Sequence, residues 1–331
     1  MKVTGIIAEY NPFHKGHKYQ IDYCKKELNS DYVIVAMSGD YVQRGTPALL
    51  PKHVRAEMAL RCGADLVLEM PVSVSTASAE AFAMGSVSML DGLHIVDSLC
   101  FGSEYGEVSA LMELAEILVK EPEEYRRLLK ESLSNGLSFP SARCQALTEY
   151  FKNPRNFTGD DFDGVLTPLL NQIVQILNSP NNILGIEYCK ALLRLKSSIK
   201  PVTLKRQGMG YHETLADTAA DNIPFASASA IRELLKTALT PETIPHITMQ
   251  VPDEISSLLA SSLQRNEILT EAVLDPLLSY CILKENTSGL STYLDVSTDL
   301  AERIMNRSNE ISSFSEAASL LKTKELTQTR I

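Results

Sequence analysis

An apolar run, Val3 to Ala8, opens the chain, and strand-length runs of the same kind recur at Tyr32 to Met37, Asp65 to Met70 and Ile95 to Phe101. Short runs that are apolar nearly throughout suit strands covered on both faces, the environment of a parallel sheet. The stretches between them carry helical spacing. Tyr19, Ile21, Tyr23, Cys24 and Leu28 follow the first run, Pro51 to Cys62 the second, and the small-residue segment Ser78 to Leu90 the third. Strands alternating with helices connect by right-handed crossovers into a parallel sheet covered by helices. The expected fold is α/β, a Rossmann-like parallel sheet flanked by helices, with Pro201 to Leu204 as a last strand. Ligands of such sheets sit at the carboxyl ends of the strands, where the strand order reverses.

The residues after the first run carry the strongest chemical signal. Asn11-Pro12 breaks the strand, because proline lacks an N–H and biases its predecessor away from helix. His14-Lys15-Gly16-His17 then leads into the first helix. A helix N-terminus offers N–H groups and a positive dipole end to an anion. Gly16 allows close backbone approach, and the imidazoles of His14 and His17 can donate to oxygens that gain charge as a phosphorus–oxygen bond breaks. Surface histidines often bind nothing, but here strand, break and helix surround them in the order that phosphate binding needs. Ser38 and Gly39 follow the second strand, Gly102 falls at the end of the fourth, and Arg206 follows the last, so all point to the same crevice.

A second phosphate cradle is expected at Phe225 to Arg232. There Ser227 and Ser229 stand at a helix start with Arg232 on its first turn, joining hydroxyls and a guanidinium to a helix N-terminus. Between the two, Asn181 or Asn182 either caps a helix or meets a nucleotide with its amide. Residues 106 to about 150 read as helices, 153–163 as a polar loop, and Thr240 onward as a separate helical module punctuated by Pro241, Pro245 and Pro252. The expected division is a catalytic α/β unit with helical insertions, 1–239, followed by a helical unit, 240–331.

Composition narrows the function. A formal charge of −10 over 331 residues disfavours indiscriminate nucleic-acid binding, yet residues 1–62 carry a local +3, leaving −13 for the rest. A basic face on an acidic body suits one specific polyanion. Lys52, Arg55 and the run from Lys196 to Arg206, Lys205 included, are the candidate contacts. No apolar run is long enough to span a bilayer, and the first residues lack a signal-peptide pattern. The cysteines are scattered with no Cys-x-x-Cys pair, as in a reduced cytoplasmic protein without a zinc or disulfide framework.

The histidine word and the late Ser-x-Ser-x-Ile-Arg word together resemble the nucleotidyltransferase superfamily. Five ordered blocks resemble, within it, the bacterial tRNA(Met) cytidine acetate ligase family: Glu9 to His17, Met37-Ser38-Gly39 with Gln43-Arg44-Gly45, Phe101 to Glu104, Pro180 to Gly185, and Ala226 to Ser229. The resemblance implies an enzyme that activates acetate with ATP and transfers the acetyl group to the wobble cytidine of elongator tRNA(Met). It implies that Ile7, Ala8, Glu9, Tyr10, Asn11, Pro12, Phe13, His14, Lys15, Gly16, His17, Lys18, Tyr19 and Gln20 form the main ATP segment. Gly102, one of Asn181 and Asn182, and Arg206 would complete it. His14 and His17 would stabilise the α-phosphate and the leaving pyrophosphate, and Ser227, Ser229 and Arg232 would hold the β,γ-phosphates. Mg2+ is expected with ATP, although no acidic metal cluster stands out. Ser38, Gly39, Lys52, Arg55 and Lys205 are the expected tRNA-side residues; no membrane and no protein partner are expected.

The family commonly has histidine where Gln20 stands and asparagine where Lys15 stands. Its members usually continue beyond Ile331, so the resemblance implies a helical unit shortened at its C-terminus. An adenylyltransferase acting on a small phosphorylated metabolite is the alternative; an idle nucleotide binder would have no use for groups aimed at a leaving pyrophosphate.

Overall fold

The computed structural model describes residues 1–43, 45–153, 166–206, 228–237, 243–285, 289–323 and 326. Its centre is a parallel sheet of β1 (Val3–Ala8), β2 (Tyr32–Ser38), β3 (Leu66–Met70), β4 (Ser98–Ser103) and β5 (Lys200–Lys205) in the order β3-β2-β1-β4-β5. β1 lies between β2 and β4, pairing Val3 with Tyr32 and Thr4 with Ser98. The chain therefore winds outward from β1 in one direction and returns to build β4 on its other side, which opens a crevice at the carboxyl ends of β1 and β4. β4 begins three residues later than the apolar run suggested. Ile95 is 47% exposed, while Gly102 and Ser103 stay in the strand by pairing with Leu204 and Lys205 of β5.

Alternate side chains of β1 divide between two cores. Ile6, with Val33, Val35, Met37 and Cys100, packs under α1 (Lys15–Lys26) and α2 (Lys52–Arg61). Val3 and Ile7, with Ile34, Ala36 and Phe101, pack on the opposite face. That face is covered by α4 (Ala79–Asp91), α5 (Val108–Lys120) and α9 (Pro180–Leu195), with the short α3 (Val72–Ser75) leading into α4. Beyond them lie α6 (Glu123–Ser134), α7 (Phe139–Lys152) and α8 (Leu166–Asn178). A buried ion cluster ties α7 to α9, with Glu187 receiving Lys190 at 2.6 Å and Arg143 at 3.2 Å.

After β5 the described chain is helical: α10 (Ala228–Thr237), α11 (Thr243–Thr248), α12 (Asp253–Gln264), α13 (Asp275–Glu285), α14 (Thr298–Asn306) and α15 (Phe314–Leu321). Ile231, Leu235, Ile247, Ile255 and Leu259 enter the same core as Ile6, Phe13 and Met58, so α10 to α12 seat directly on the α1–α2 face of the sheet. This is how residues remote in sequence reach the end of β1.

Candidate active site

α1 starts with a reciprocal cap made of its two histidines. His14 is the N-cap, and its Nδ1 accepts from the backbone N–H of Gly16 at 3.0 Å. His17, three residues on, accepts from the backbone N–H of His14 through its own Nδ1 at 3.2 Å. This is the geometry of a capping box, with imidazoles in place of a hydroxyl and a carboxylate. The rings stack at 3.7 Å between centroids, and His17 rests edge-on against Tyr10 at 4.9 Å. Gly16 is dictated by the cap: a Cβ there would stand 2.9 Å from His14 Cε1.

The cap fixes what the histidines can do. With Nδ1 of each ring accepting, the ring proton resides on Nε2, and both groups act outward as donors. Burial first, then the charges of Arg206 and Arg232, push the His14 imidazole down to about 3. Burial, with His14 and Arg206 adding to it, lowers His17 in the same direction. Two neutral N–H donors thus stand beside two guanidinium groups. The backbone N–H groups expected to bind phosphate at this helix start are instead occupied. Lys15 N donates to Gln250 O, Gly16 N to His14 Nδ1, and the next two to His14 O.

The His14 shift predicts how stability varies with pH. The unfolded imidazole takes up a proton below about 6.5, whereas the folded one refuses it until about 3. The unfolded state then binds more protons, so stability falls as pH falls through this window. The slope for one such group approaches about 1.4 kcal/mol per pH unit. Urea midpoints measured at pH 7, 6 and 5 should show it, and His14→Asn should flatten the curve by one proton; an unchanged slope would refute the assignment.

Around the histidines two chambers adjoin. The first, of about 320 Å³, is bordered by Ile7, Ala8, Glu9, Tyr10, Asn11, His14, Gly16, His17, Tyr19 and Gln20 from the β1–α1 segment, and by Gly102, Asn181, Lys205, Arg206 and Arg232. Phe82, Phe101, Leu184, Tyr188 and Leu204 give it an apolar side. The second, of about 380 Å³, shares Glu9, Asn11, His14, His17, Asn181, Arg206 and Arg232, adds Ser229, and extends to Val42, Thr46, Pro47, Leu49 and Leu269-Thr270-Glu271. Arg232 is anchored by donating to Asn11 O at 2.7 Å and Ser229 Oγ at 2.8 Å. The Arg206 stem lies on Gly102, where a Cβ would come within 3.3 Å. Among the described residues no carboxylate pairs with Arg206.

Several expected residues lie elsewhere. Pro12 and Phe13 are buried behind the turn. Lys15 and Lys18 border neither chamber, and Lys18 pairs with Asp22 at 2.7 Å. Asn182 is 1% exposed and its Oδ1 accepts from Ser103 Oγ and Tyr105 N. Asn181 is the one that borders both chambers, held by donating to Glu104. Arg55, expected on a polyanion-facing surface, is 0% exposed and bound to four backbone carbonyls. Lys52 is engaged with Glu69 at 2.8 Å and Asp40 at 3.6 Å. Ser38 is buried, and Gly39 faces Glu69 rather than the cleft. Ser227 lies outside the described residues. The apolar wall of Phe82, Phe101 and Tyr188 was absent from the expected site because such residues read as core, while Gln43, named only within a family block, borders the first chamber.

Among the described residues no helix is long and apolar enough to cross a membrane, and no His/Cys/Asp/Glu group is arranged to hold a metal. Comparison with known proteins matches residues 1–331 to the HIGH Nucleotidyl Transferase family. The chain is 40% identical to a tRNA(Met) cytidine acetate ligase of Acetivibrio thermocellus, covering 100% of this chain and 75% of the relative. It is 39% identical to that of Clostridium tetani, covering 100% and 77%. In structure it is similar to Thermotoga maritima TmcAL bound with alpha-thio ATP, with TM-score 0.80 and 31% identity over 100% of this chain and 72% of that one. The apo form of the same protein gives TM-score 0.84 at 31% identity, covering 100% and 73%.

Proposed function

We propose, since the chain belongs to the tRNA(Met) cytidine acetate ligase family of HIGH nucleotidyl transferases, that it joins acetate to the wobble cytidine of elongator tRNA(Met) at the expense of ATP. The observation that carries this reading is the reciprocal histidine cap, which aims two neutral Nε2–H donors into a cleft beside Arg206 and Arg232. ATP would lie with its base along the apolar side of the first chamber, near Gly102, and its α-phosphate at the histidines. An acetate oxygen attacks the α-phosphorus in line, pyrophosphate leaves, and acetyl-adenylate remains. The donors stabilise the charge that gathers on the phosphate oxygens, while Arg206, Arg232 and Ser229 hold the departing phosphates. No covalent enzyme intermediate is needed. Because the imidazoles are neutral, they donate without a proton having to be lost first, and the guanidinium groups supply the positive field.

Mg2+ would arrive as the ion that ATP carries; the described residues build no ligand set for it. The acceptor amine of cytidine then takes the acetyl group and AMP is released. Residues 240–331 would help hold the anticodon stem, a role supported by Leu269, Thr270 and Glu271 at the rim of the second chamber. The tRNA substrate and the reduced, scattered cysteines favour a cytoplasmic enzyme.

The test is exchange of labelled pyrophosphate into ATP, with and without acetate, followed by transfer of labelled acetate to elongator tRNA(Met). Acetate-dependent exchange and transfer are expected. Exchange that needs a phosphorylated metabolite instead of acetate would replace this reading with an adenylyltransferase.

A further inference from the structure

Acetyl transfer to a cytosine needs a group that receives a proton. The exocyclic N4 amine is delocalised into the ring and is a poor nucleophile, and it must lose a proton as it attacks. The histidines do not supply that acceptor, since each Nδ1 is occupied by a backbone N–H and each Nε2 carries the proton. Lys205, Arg206 and Arg232 are donors only. Among the described residues bordering the chambers, the carboxylates are those of Glu9, Glu233 and Glu271, and Glu9 alone borders both. Glu271 faces the rim and accepts from Ser315 Oγ at 3.2 Å.

Glu9 is positioned for the task. It follows β1 directly, and its backbone carbonyl is gripped by the buried Arg55. Its Oε1 accepts from Gln43 N at 3.0 Å, and among the described residues Oε2 has no hydrogen-bond partner. The side chain is thus fixed by one oxygen and open at the other, at the boundary between the first chamber, with its apolar side, and a second chamber that Val42, Pro47 and Leu49 help to line. Such apolar side chains offer a base a surface to rest on.

We propose that Glu9 is a catalytic residue of acyl transfer, accepting the N4 proton of the cytosine held in the second chamber. The inference rests on the acetate-ligase reading of the cleft. In the step, N4 bonds to the acetyl carbon while the bond from that carbon to the phosphate oxygen of acetyl-adenylate breaks. AMP leaves with the electron pair, and the amine proton passes to Glu9 Oε2 and then to water. The same carboxylate selects the base: it accepts from the N4 amine of cytosine and repels the O4 oxygen of uracil.

The test is Glu9→Gln, which is isosteric and keeps an oxygen to accept from Gln43 N. Acetate-dependent pyrophosphate exchange and acetyl transfer to elongator tRNA(Met) are measured on the same preparations. The ratio of transfer to exchange should fall at least about 100-fold, in the range expected for loss of a general base. Single-turnover transfer should fall in the same proportion in Glu9→Gln, with Glu9→Asp recovering part of the rate. A ratio unchanged in Glu9→Gln, whether both activities persist or both fall together, overturns the role of Glu9. Absence of acetate-dependent exchange in the parent chain overturns instead the acetate-ligase reading itself, and this step with it.

Discussion

His17→Ala is expected to slow acetate-dependent pyrophosphate exchange by about 100- to 1,000-fold, the cost of removing one preorganised donor from charge developing in a transition state. ATP affinity should change far less, because Arg206, Arg232 and the apolar wall remain. His14→Ala should lose as much rate and also destabilise the fold, since the N-cap of α1 goes with it; caps contribute about 0.5–2 kcal/mol. The two losses can be separated. In His14→Asn the side-chain oxygen can again accept from Gly16 N, so stability should return while exchange stays slow. Exchange kinetics and urea unfolding on the same variants decide the matter. If His17→Ala exchanges within a few-fold of the parent, the imidazole does not meet the reacting phosphate and its place in the cap is purely structural.

The sheet was legible because buried parallel strands announce themselves as short apolar runs, and Val3–Ala8 appears in the structure with the bounds the sequence suggests. The histidine word was legible as a phosphate motif, but its inner workings were not. Nothing in a linear sequence says that His14 and His17 cap each other, and the expectation of free N–H groups at that helix start failed for this reason. Of Asn181 and Asn182, adjacent in sequence and alike in chemistry, only the helix rotation decides which faces the cleft. The apolar wall was hidden because Phe101 and Tyr188 serve the core and the cleft at once. The helical module after Thr240 was expected to pack beside the sheet, but nothing in its sequence hinted that Ile247, Ile255 and Leu259 make that contact by sharing a core with β1. Such contacts join residues more than two hundred positions apart and leave no periodic trace.

Arg55 is the residue whose role the sequence most misrepresented, and its replacement should have the largest effect on stability. It sits on a helix with Lys52 and Arg61, where a charge ordinarily marks a solvated face. Instead its guanidinium donates to Leu50 O at 3.0 Å, Glu9 O at 2.5 Å and Ser38 O at 3.1 Å, and also to Gly39 O. It thereby staples the carboxyl ends of β1 and β2 to the start of α2. Burial lowers its pKa to about 10, with Glu9, Asp40 and Glu69 opposing the fall, so it stays charged at neutral pH. Arg55→Met fills much of the volume but leaves these carbonyls without their donors. Each unsatisfied buried acceptor costs about 1–3 kcal/mol before water relieves some of it. A net loss of about 3–5 kcal/mol is expected, a large share of the roughly 5–15 kcal/mol that holds a domain together. Arg55→Lys should recover less than half, because a compact ammonium cannot span three chain segments as a planar fork does. Urea midpoints give the stability, and exchange measured per folded molecule reports the displaced Glu9 turn. A loss under about 1 kcal/mol in Arg55→Met, accompanied by weaker tRNA binding, would return the guanidinium to the surface and to the polyanion that a lone reading of its charge suggests.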